Sequence, residues 1–170
     1  NFASFDLSKY PSLGIFAISN NQLTDITLGN PELWQLDLSR NQLAEVDLTG
    51  VPNLNQLALA HNQLSTLDLS MMRDLKVLFV DYNKFRFSTL PRNNGYSLYT
   101  YFGQAEIPVT DSDGKIDLSA EASVEGVDTE FRWFFGEPSI NEETGALEGE
   151  ELYIDEEYTI ENGVTTFLKN

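Results

Sequence analysis

The sequence predicts a mainly β protein, with a solenoid of short repeats followed by a second, acidic β domain. Three observations lead to this prediction. The first is a repeat whose copies start at Leu13, Leu33, Leu54 and Leu75, in steps of 20, 21 and 21 residues. The second is an abrupt change of charge after residue 104. The third is an alternation of apolar and polar residues in both parts, which is typical of half-buried strands.

Each copy of the repeat follows the same pattern of apolar residues. Counted from its start, positions 1, 4, 6, 11, 14 and 16 are apolar, and only Ser88 in the last copy departs from this. A coil this short cannot bury its apolar side alone and has to stack on its neighbours. Positions 4 and 6 therefore predict inward-facing residues of a parallel sheet. Positions 14 and 16 alternate in the same way, so we expect an extended or 3-10 return path.

Position 9 is asparagine in all four copies, at Asn21, Asn41, Asn62 and Asn83. Each asparagine follows a predicted strand, at the point where the backbone must turn away. A side-chain amide both donates and accepts hydrogen bonds, so stacked copies can satisfy backbone groups at these bends. We expect a structural role for this column.

The charge is distributed very unevenly along the 170 residues, which carry a net charge of −17. Residues 1–104 hold 9 acidic and 7 basic side chains, for a net −2, and residues 105–170 hold 18 and 3, for a net −15. The break predicts a domain boundary between residues 104 and 105. Such an acidic chain would be repelled by nucleic acid and by an anionic membrane surface, so neither is an expected partner.

Cysteine is absent, so the chain has no disulfide, thiol nucleophile or thiolate metal site. No apolar run approaches the roughly 20 residues that span a bilayer as a helix.

The pattern Leu-x-x-Leu-x-Leu-x-x-Asn-x-Leu resembles the signature of leucine-rich repeats, and this short form without a helix is similar to the internalins and related bacterial surface proteins. The resemblance implies a right-handed solenoid with a parallel sheet on its concave side, on a secreted or cell-surface protein. We expect residues 1–104 to form this domain. Within it, residues 85–104 are expected to be a C-terminal cap, because Leu90-Pro91 and the run Tyr96, Tyr99, Tyr101 and Phe102 break the period.

The second part, residues 105–170, reads as short strands. Asp113-Gly114 and Asn162-Gly163 are hairpin signals, and Phe131, Trp133 and Phe135 alternate on one face of a predicted strand. Spaced short strands around one tryptophan resemble an immunoglobulin-like sandwich, a usual companion of these repeats. Only five or six strands can be counted where about seven are expected, so we predict that this domain is incomplete at residue 170.

The outward positions of the predicted sheet are the candidate binding residues, because the core does not use their side chains. Tryptophan, tyrosine and arginine are frequent anchors of protein interfaces. The candidates are Trp34, Gln35, Asp37, Arg40, Gln56, His61, Val77, Phe79, Asp81 and Tyr82. The predicted function is non-catalytic protein recognition. Two alternatives stay open: carbohydrate binding by exposed aromatic side chains, and a structural stalk without a ligand.

Catalysis is not expected. His61 could combine with Ser39 and Asp37 or Asp81 on the same face, but a regular shallow sheet lacks an oxyanion pocket and an oriented base.

Metal and cofactor binding are not expected either. The acidic clusters 142–143, 148–151 and 155–157 could supply calcium ligands, and Asp111-Ser112-Asp113-Gly114 begins like a calcium loop. Its twelfth position is Ala122, however, so we expect a solvated acidic surface.

Overall fold

A computed structural model describes residues 2–86, 88–105, 115–124, 127–128, 134–140, 147–152, 158–162 and 164–168. The chain divides into two compact units, Asn1–Glu106 and Ile107–Asn170. The predicted cluster at 155–157, the Asp111–Gly114 segment, Phe131 and Trp133 lie outside the described residues.

The first unit is a β-solenoid of short strands. A 3-10 helix, Leu7–Lys9, follows the first strand. The strands are β1 (Ser4–Asp6), β2 (Ile15–Ala17), β3 (Asp25–Thr27), β4 (Gln35–Asp37), β5 (Gln56–Ala58), β6 (Val77–Phe79) and β7 (Leu98–Thr100).

Five of these strands form one parallel sheet in the order β2-β4-β5-β6-β7. The residues at position 4 of successive copies lie side by side, with Leu36 paired to Leu57 and Leu57 paired to Leu78. Leu36 and Leu57 are 1% exposed and Leu78 is 0% exposed. The prediction of inward leucines on a parallel-strand solenoid is therefore confirmed.

The last strand corrects the sequence analysis. We expected the period to end before the tyrosine run, but β7 pairs in register with β6, with Leu78 opposite Tyr99. Tyr96 stands 21 residues after Leu75 and Gln104 stands 21 residues after Asn83. These residues occupy positions 1 and 9 of a fifth coil. Tyrosines replace leucines in it, and for this reason the pattern is hard to recognise in the sequence.

The return path on the other side of the coils is extended or 3-10, as expected. Strands β1 and β3 pair there in parallel, with Ser4 opposite Asp25. In later copies, an aspartate carboxylate accepts a hydrogen bond from the backbone N–H two residues ahead. The distances are 2.9 Å for Thr49 to Asp47 and 2.8 Å for Ser70 to Asp68. These local hydrogen bonds stabilise the turns, which are not stabilised by strand pairing.

The asparagine column ties each coil to its neighbour. The Asn62 side-chain amide donates to the carbonyls of Leu38 and Leu59, both at 3.0 Å, and its oxygen accepts from Leu43 N–H at 3.1 Å. Asn41 and Asn83 repeat the same three bonds one coil away. In the fifth coil Gln104 takes over, donating to Val80 and Tyr101 carbonyls and accepting from Phe85 N–H.

The described strands of the second unit are all antiparallel. A 3-10 helix, Ser119–Glu121, follows the first of them. The strands are β8 (Lys115–Asp117), β9 (Ser123–Val124), β10 (Val127–Asp128), β11 (Phe134–Ile140), β12 (Leu147–Glu151), β13 (Tyr158–Glu161) and β14 (Val164–Phe167).

These strands form the sheets β9-β10, β11-β12 and β13-β14-β8. The predicted hairpin is present, since Glu161 pairs with Val164 across the Asn162-Gly163 pair. Three separate antiparallel sheets do not establish the immunoglobulin-like sandwich that the resemblance implies.

Replacing Asn62 with alanine should lower the free energy of unfolding by about 2 kcal/mol. The Leu43 N–H would be left buried without a partner, and the carbonyls of Leu38 and Leu59 would each lose one of two amide donors, keeping those of Asn41 and Asn83. Urea denaturation of the two proteins measures the difference. Asn53→Ala is the matched control, since exposed Asn53 makes a single bond to the Pro31 carbonyl at 2.8 Å. Equal losses for both variants would contradict a special role of the column.

Stability should also fall in acid because of the aspartate turns. Hydrogen bonds from the backbone N–H and side chain of Thr49 lower the pKa of Asp47 below its ordinary value of 3.8. The turn therefore contributes stability above that ordinary value, and loses it as the pH falls through the lower folded pKa. Asp47→Ala should melt below the unmodified protein at neutral pH, with the gap closing at low pH. Glu45→Ala, an exposed neighbour, should show no such convergence.

Candidate binding surface

The concave surface consists of the outward residues of the five parallel strands and of positions 7 and 8, the second and third residues after each strand. Position 4 points into the core, so positions 3 and 5 point out of it. Of the predicted binding residues, Gln35, Asp37, Gln56, His61, Val77 and Phe79 are half-buried on this surface. Arg40 is exposed, and Tyr82 is 42% exposed.

The chemistry of this surface changes along the solenoid. Near β4 and β5 the outward residues are polar, with Gln35 opposite Gln56. In the first outward row of β6 and β7 they are apolar, with Val77 opposite Leu98, which is 47% exposed. Phe79 lies in the next outward row. The middle of the surface therefore offers amides, the β2 end offers Ile15, which is 52% exposed, and the β6–β7 end offers larger aliphatic and aromatic groups.

Position 8 of every coil has a left-handed backbone conformation. The φ values are +56° for Asn20, Arg40 and His61, +52° for Tyr82 and +66° for Gly103. This conformation costs about 1–2 kcal/mol for most residues and little for glycine or asparagine. The solenoid enforces it, because the N–H of Arg40 bonds to the Ala60 carbonyl and that of Tyr82 to the Phe102 carbonyl.

An aromatic stack is formed by His61 and Tyr82, which both have this backbone geometry, and by Phe102, which precedes Gly103. The rings of His61 and Tyr82 are nearly parallel, with 4.2 Å between their centroids. The rings of Tyr82 and Phe102 meet edge to face, with 4.9 Å between centroids. A Cβ atom on Gly103 would lie 2.6 Å from Tyr82 Cε1, so glycine is required beneath this ring. Phe102 itself is 64% exposed.

Two predicted residues are placed differently from the expectation. Asp81 was expected to face solvent, but it is 7% exposed. Its carboxylate accepts hydrogen bonds from the Thr100 hydroxyl and from Phe102 N–H, the latter at 3.0 Å. Asp81 thus holds the fifth coil and is not available to a ligand. The reason is that the fifth coil supplies donors that the sequence analysis did not anticipate.

Trp34, the second residue that lies elsewhere than expected, is 43% exposed but is not part of the aromatic stack. It precedes β4, whereas the stacked residues follow their strands, so it lies at the opposite margin of the sheet. A Cβ atom on Gly14 would lie 3.2 Å from the indole Nε1, which shows that Trp34 covers the preceding coil.

Leu98 and Phe102 are surface residues that the sequence analysis missed. The 21-residue steps from Leu75 to Tyr96 and from Asn83 to Gln104 were the available signal.

The parts of a catalytic triad are not assembled here. Within the described residues, no hydrogen bond joins the His61 ring to Ser39, Asp37 or Asp81. Asp37 instead accepts from the Ser39 backbone N–H at 2.9 Å.

No group of three or more His, Cys, Asp or Glu side chains that could hold a metal ion occurs in the described part of the chain. The acidic clusters 142–143, 148–151 and 155–157 fall on residues or side chains that are not described. In the same described ranges, no helix is both long and apolar enough to cross a membrane.

Comparison with known proteins gives one informative likeness. No family model matches the chain, and no curated protein matches it. The chain is similar in structure to the functional domain of InlJ from Listeria monocytogenes, which includes a cysteine ladder, with a TM-score of 0.53 and 19% sequence identity. The alignment covers 97% of this chain and 48% of that structure. This chain spans about half the length of that neighbour, and the likeness shows an internalin-like leucine-rich-repeat fold.

The left-handed column provides a test of the backbone geometry. Arg40→Gly should raise the free energy of unfolding by about 1 kcal/mol, because glycine adopts a positive φ without steric cost. Gly103→Ala should lower it, since the added Cβ atom meets both a positive φ and the Tyr82 ring. Thermal denaturation measures both changes, and a stabilising Gly103→Ala would contradict this account.

Proposed function

We propose that the protein is a non-catalytic recognition module that binds a protein partner through the apolar end of its concave surface. The observation that carries the proposal is an apolar group at the β6–β7 end, with Phe79 and Leu98 on the two strands and the contacting rings of Tyr82 and Phe102 in the segments that follow them. Single exposed apolar residues are ordinary, but a contiguous group supported by a rigid sheet is typical of interaction sites.

Rigidity favours this function. The register of the strands and the amide column fix the outward side chains before any partner arrives, so little conformational entropy is lost on binding. The left-handed backbone conformation at position 8 also favours a binding function. Tyr82 has an unfavourable backbone conformation where asparagine would be less costly, which supports a use for its ring.

We also propose a secreted or cell-surface location on a bacterial protein. The support is the likeness of the fold to the InlJ domain.

The test uses substitutions that neighbouring coils already contain. Phe79→Ala introduces the residue that Ala58 provides one coil earlier, and Tyr82→Asn introduces the residue that Asn20 provides at position 8. Both variants should therefore fold. The unmodified protein would be used as bait against a library of displayed extracellular proteins, and the affinity of a selected partner would be measured for each variant. Each substitution should weaken binding by about 2 kcal/mol, or roughly 30-fold.

Met71→Ser is the control, because Met71 is 56% exposed, belongs to none of the five parallel strands and is not one of the residues after them. It should leave the affinity unchanged. If Met71→Ser weakens binding while the two concave variants do not, the binding surface is elsewhere. A glycan array gives the remaining outcomes: specific glycan binding favours carbohydrate recognition, and no ligand in either screen favours a stalk.

A further inference from the structure

A cavity of about 620 Å³ lies outside the concave surface. It is formed by two segments of the first unit, residues 67–75 and residues 89–96. None of its lining residues belongs to the five parallel strands. Its size falls within the range of small-molecule sites, which is about 300–1,000 Å³.

The inner wall of the cavity is apolar and continuous with the solenoid core. Met72 is 8% exposed, and Leu69, Leu90 and Tyr96 are half-buried and pack against the core. Burial raises the pKa of Tyr96, as expected for a phenol in a setting of low polarity. An apolar ligand placed here would lose contact with water on this side.

The rim of the cavity is cationic. Arg73 and Arg92 both line it, and both are exposed. Among the described residues, no hydrogen-bond acceptor or carboxylate pairs with the Arg73 guanidinium. Asp68 is the single acidic residue in the lining, and its carboxylate is engaged by Ser70 N–H at 2.8 Å. The lining therefore carries a net charge of about +1.

This cationic rim is unusual in its chain. Residues 73–92 hold five of the ten basic residues, Arg73, Lys76, Lys84, Arg86 and Arg92, in a chain of net charge −17. A guanidinium can bind a carboxylate through two parallel hydrogen bonds. The arrangement of an apolar wall beside the Arg73 guanidinium is complementary to a molecule with an apolar body and one carboxylate.

We propose that this cavity binds a small amphipathic carboxylate, with the apolar body against Leu69, Met72, Leu90 and Tyr96 and the carboxylate on the Arg73 guanidinium. This site is independent of the proposed protein-binding surface.

Octanoate is a suitable probe, below the concentration at which it forms micelles. Titration of the ¹⁵N-labelled 170-residue chain, followed by amide chemical shifts, should show saturable changes confined to residues 67–75 and 89–96. Octylammonium and octanol carry the same chain with the opposite charge and with no charge. Both should bind at least tenfold more weakly, because they cannot accept the charge-assisted hydrogen bond from the Arg73 guanidinium. A hexaglutamate peptide, with carboxylates but no apolar body, should not produce these shifts.

Variants test the individual contacts. Arg73→Gln should weaken octanoate binding about tenfold. Lys76→Gln removes the same charge from an exposed residue outside the lining and should leave binding unchanged. Asn94→Trp, at an exposed position of the lining, should block the cavity without touching the core.

Three results would overturn the proposal. They are equal binding of octanoate and octanol, an effect of Lys76→Gln as large as that of Arg73→Gln, and octanoate shifts that are absent or lie elsewhere. Tyr82→Asn should not alter octanoate binding, so this site and the concave surface can fail separately.

Discussion

Each coil of this solenoid is completed by the next one, and the rest of the structure depends on that constraint. A coil of about 21 residues has too few apolar side chains to enclose a core. Its backbone bends also leave carbonyls that no strand pairing satisfies. The side-chain amide at position 9 solves the second problem by bonding to two coils at once, as Asn62 does with Leu38 and Leu59. Burial of the core and hydrogen bonding of the carbonyls at the bends therefore both require the same register between neighbouring coils.

The fifth coil shows how the constraint is met where leucine is replaced. Tyr99 occupies the inward position 4, and its hydroxyl donates a hydrogen bond to the Pro91 carbonyl. Burial, together with the neighbouring phenols of Tyr96 and Tyr101 and the carboxylate of Asp81, raises the pKa of Tyr99. Gln104 reproduces the bonds of an asparagine with one more methylene group. The same hydrogen bonds can thus be made by different residues, which explains why the repeat continues beyond its visible pattern.

The candidate site follows from the parts of the coil that the core leaves unused. The strands that hold the outward residues are stabilised by their inward residues, which form the core. The chemistry of the outward residues is therefore free to differ between coils. Position 8 is the clearest case, because the turn imposes a positive φ whichever residue is present. The projection of His61 and Tyr82 is set by the backbone, and their stacking with each other and with Phe102 is set by the coil spacing.

The sequence by itself determined the coil length, the inward leucines, the parallel register and the asparagine column, because all of these repeat and depend on local spacing. It also placed most of the outward candidates, including Phe79 and Tyr82. Only the tertiary structure showed that Asp81 is buried and that Trp34 lies apart from the aromatic stack. It also showed that Leu98 and Phe102 belong to the concave surface. These depend on which residues of a fifth coil lie beside the fourth, and tyrosine and glutamine obscure that coil in the sequence. The cavity lined by Arg73 and Arg92 could not be predicted from the sequence either. It forms between two segments, and no position of the repeat indicates that they lie close together.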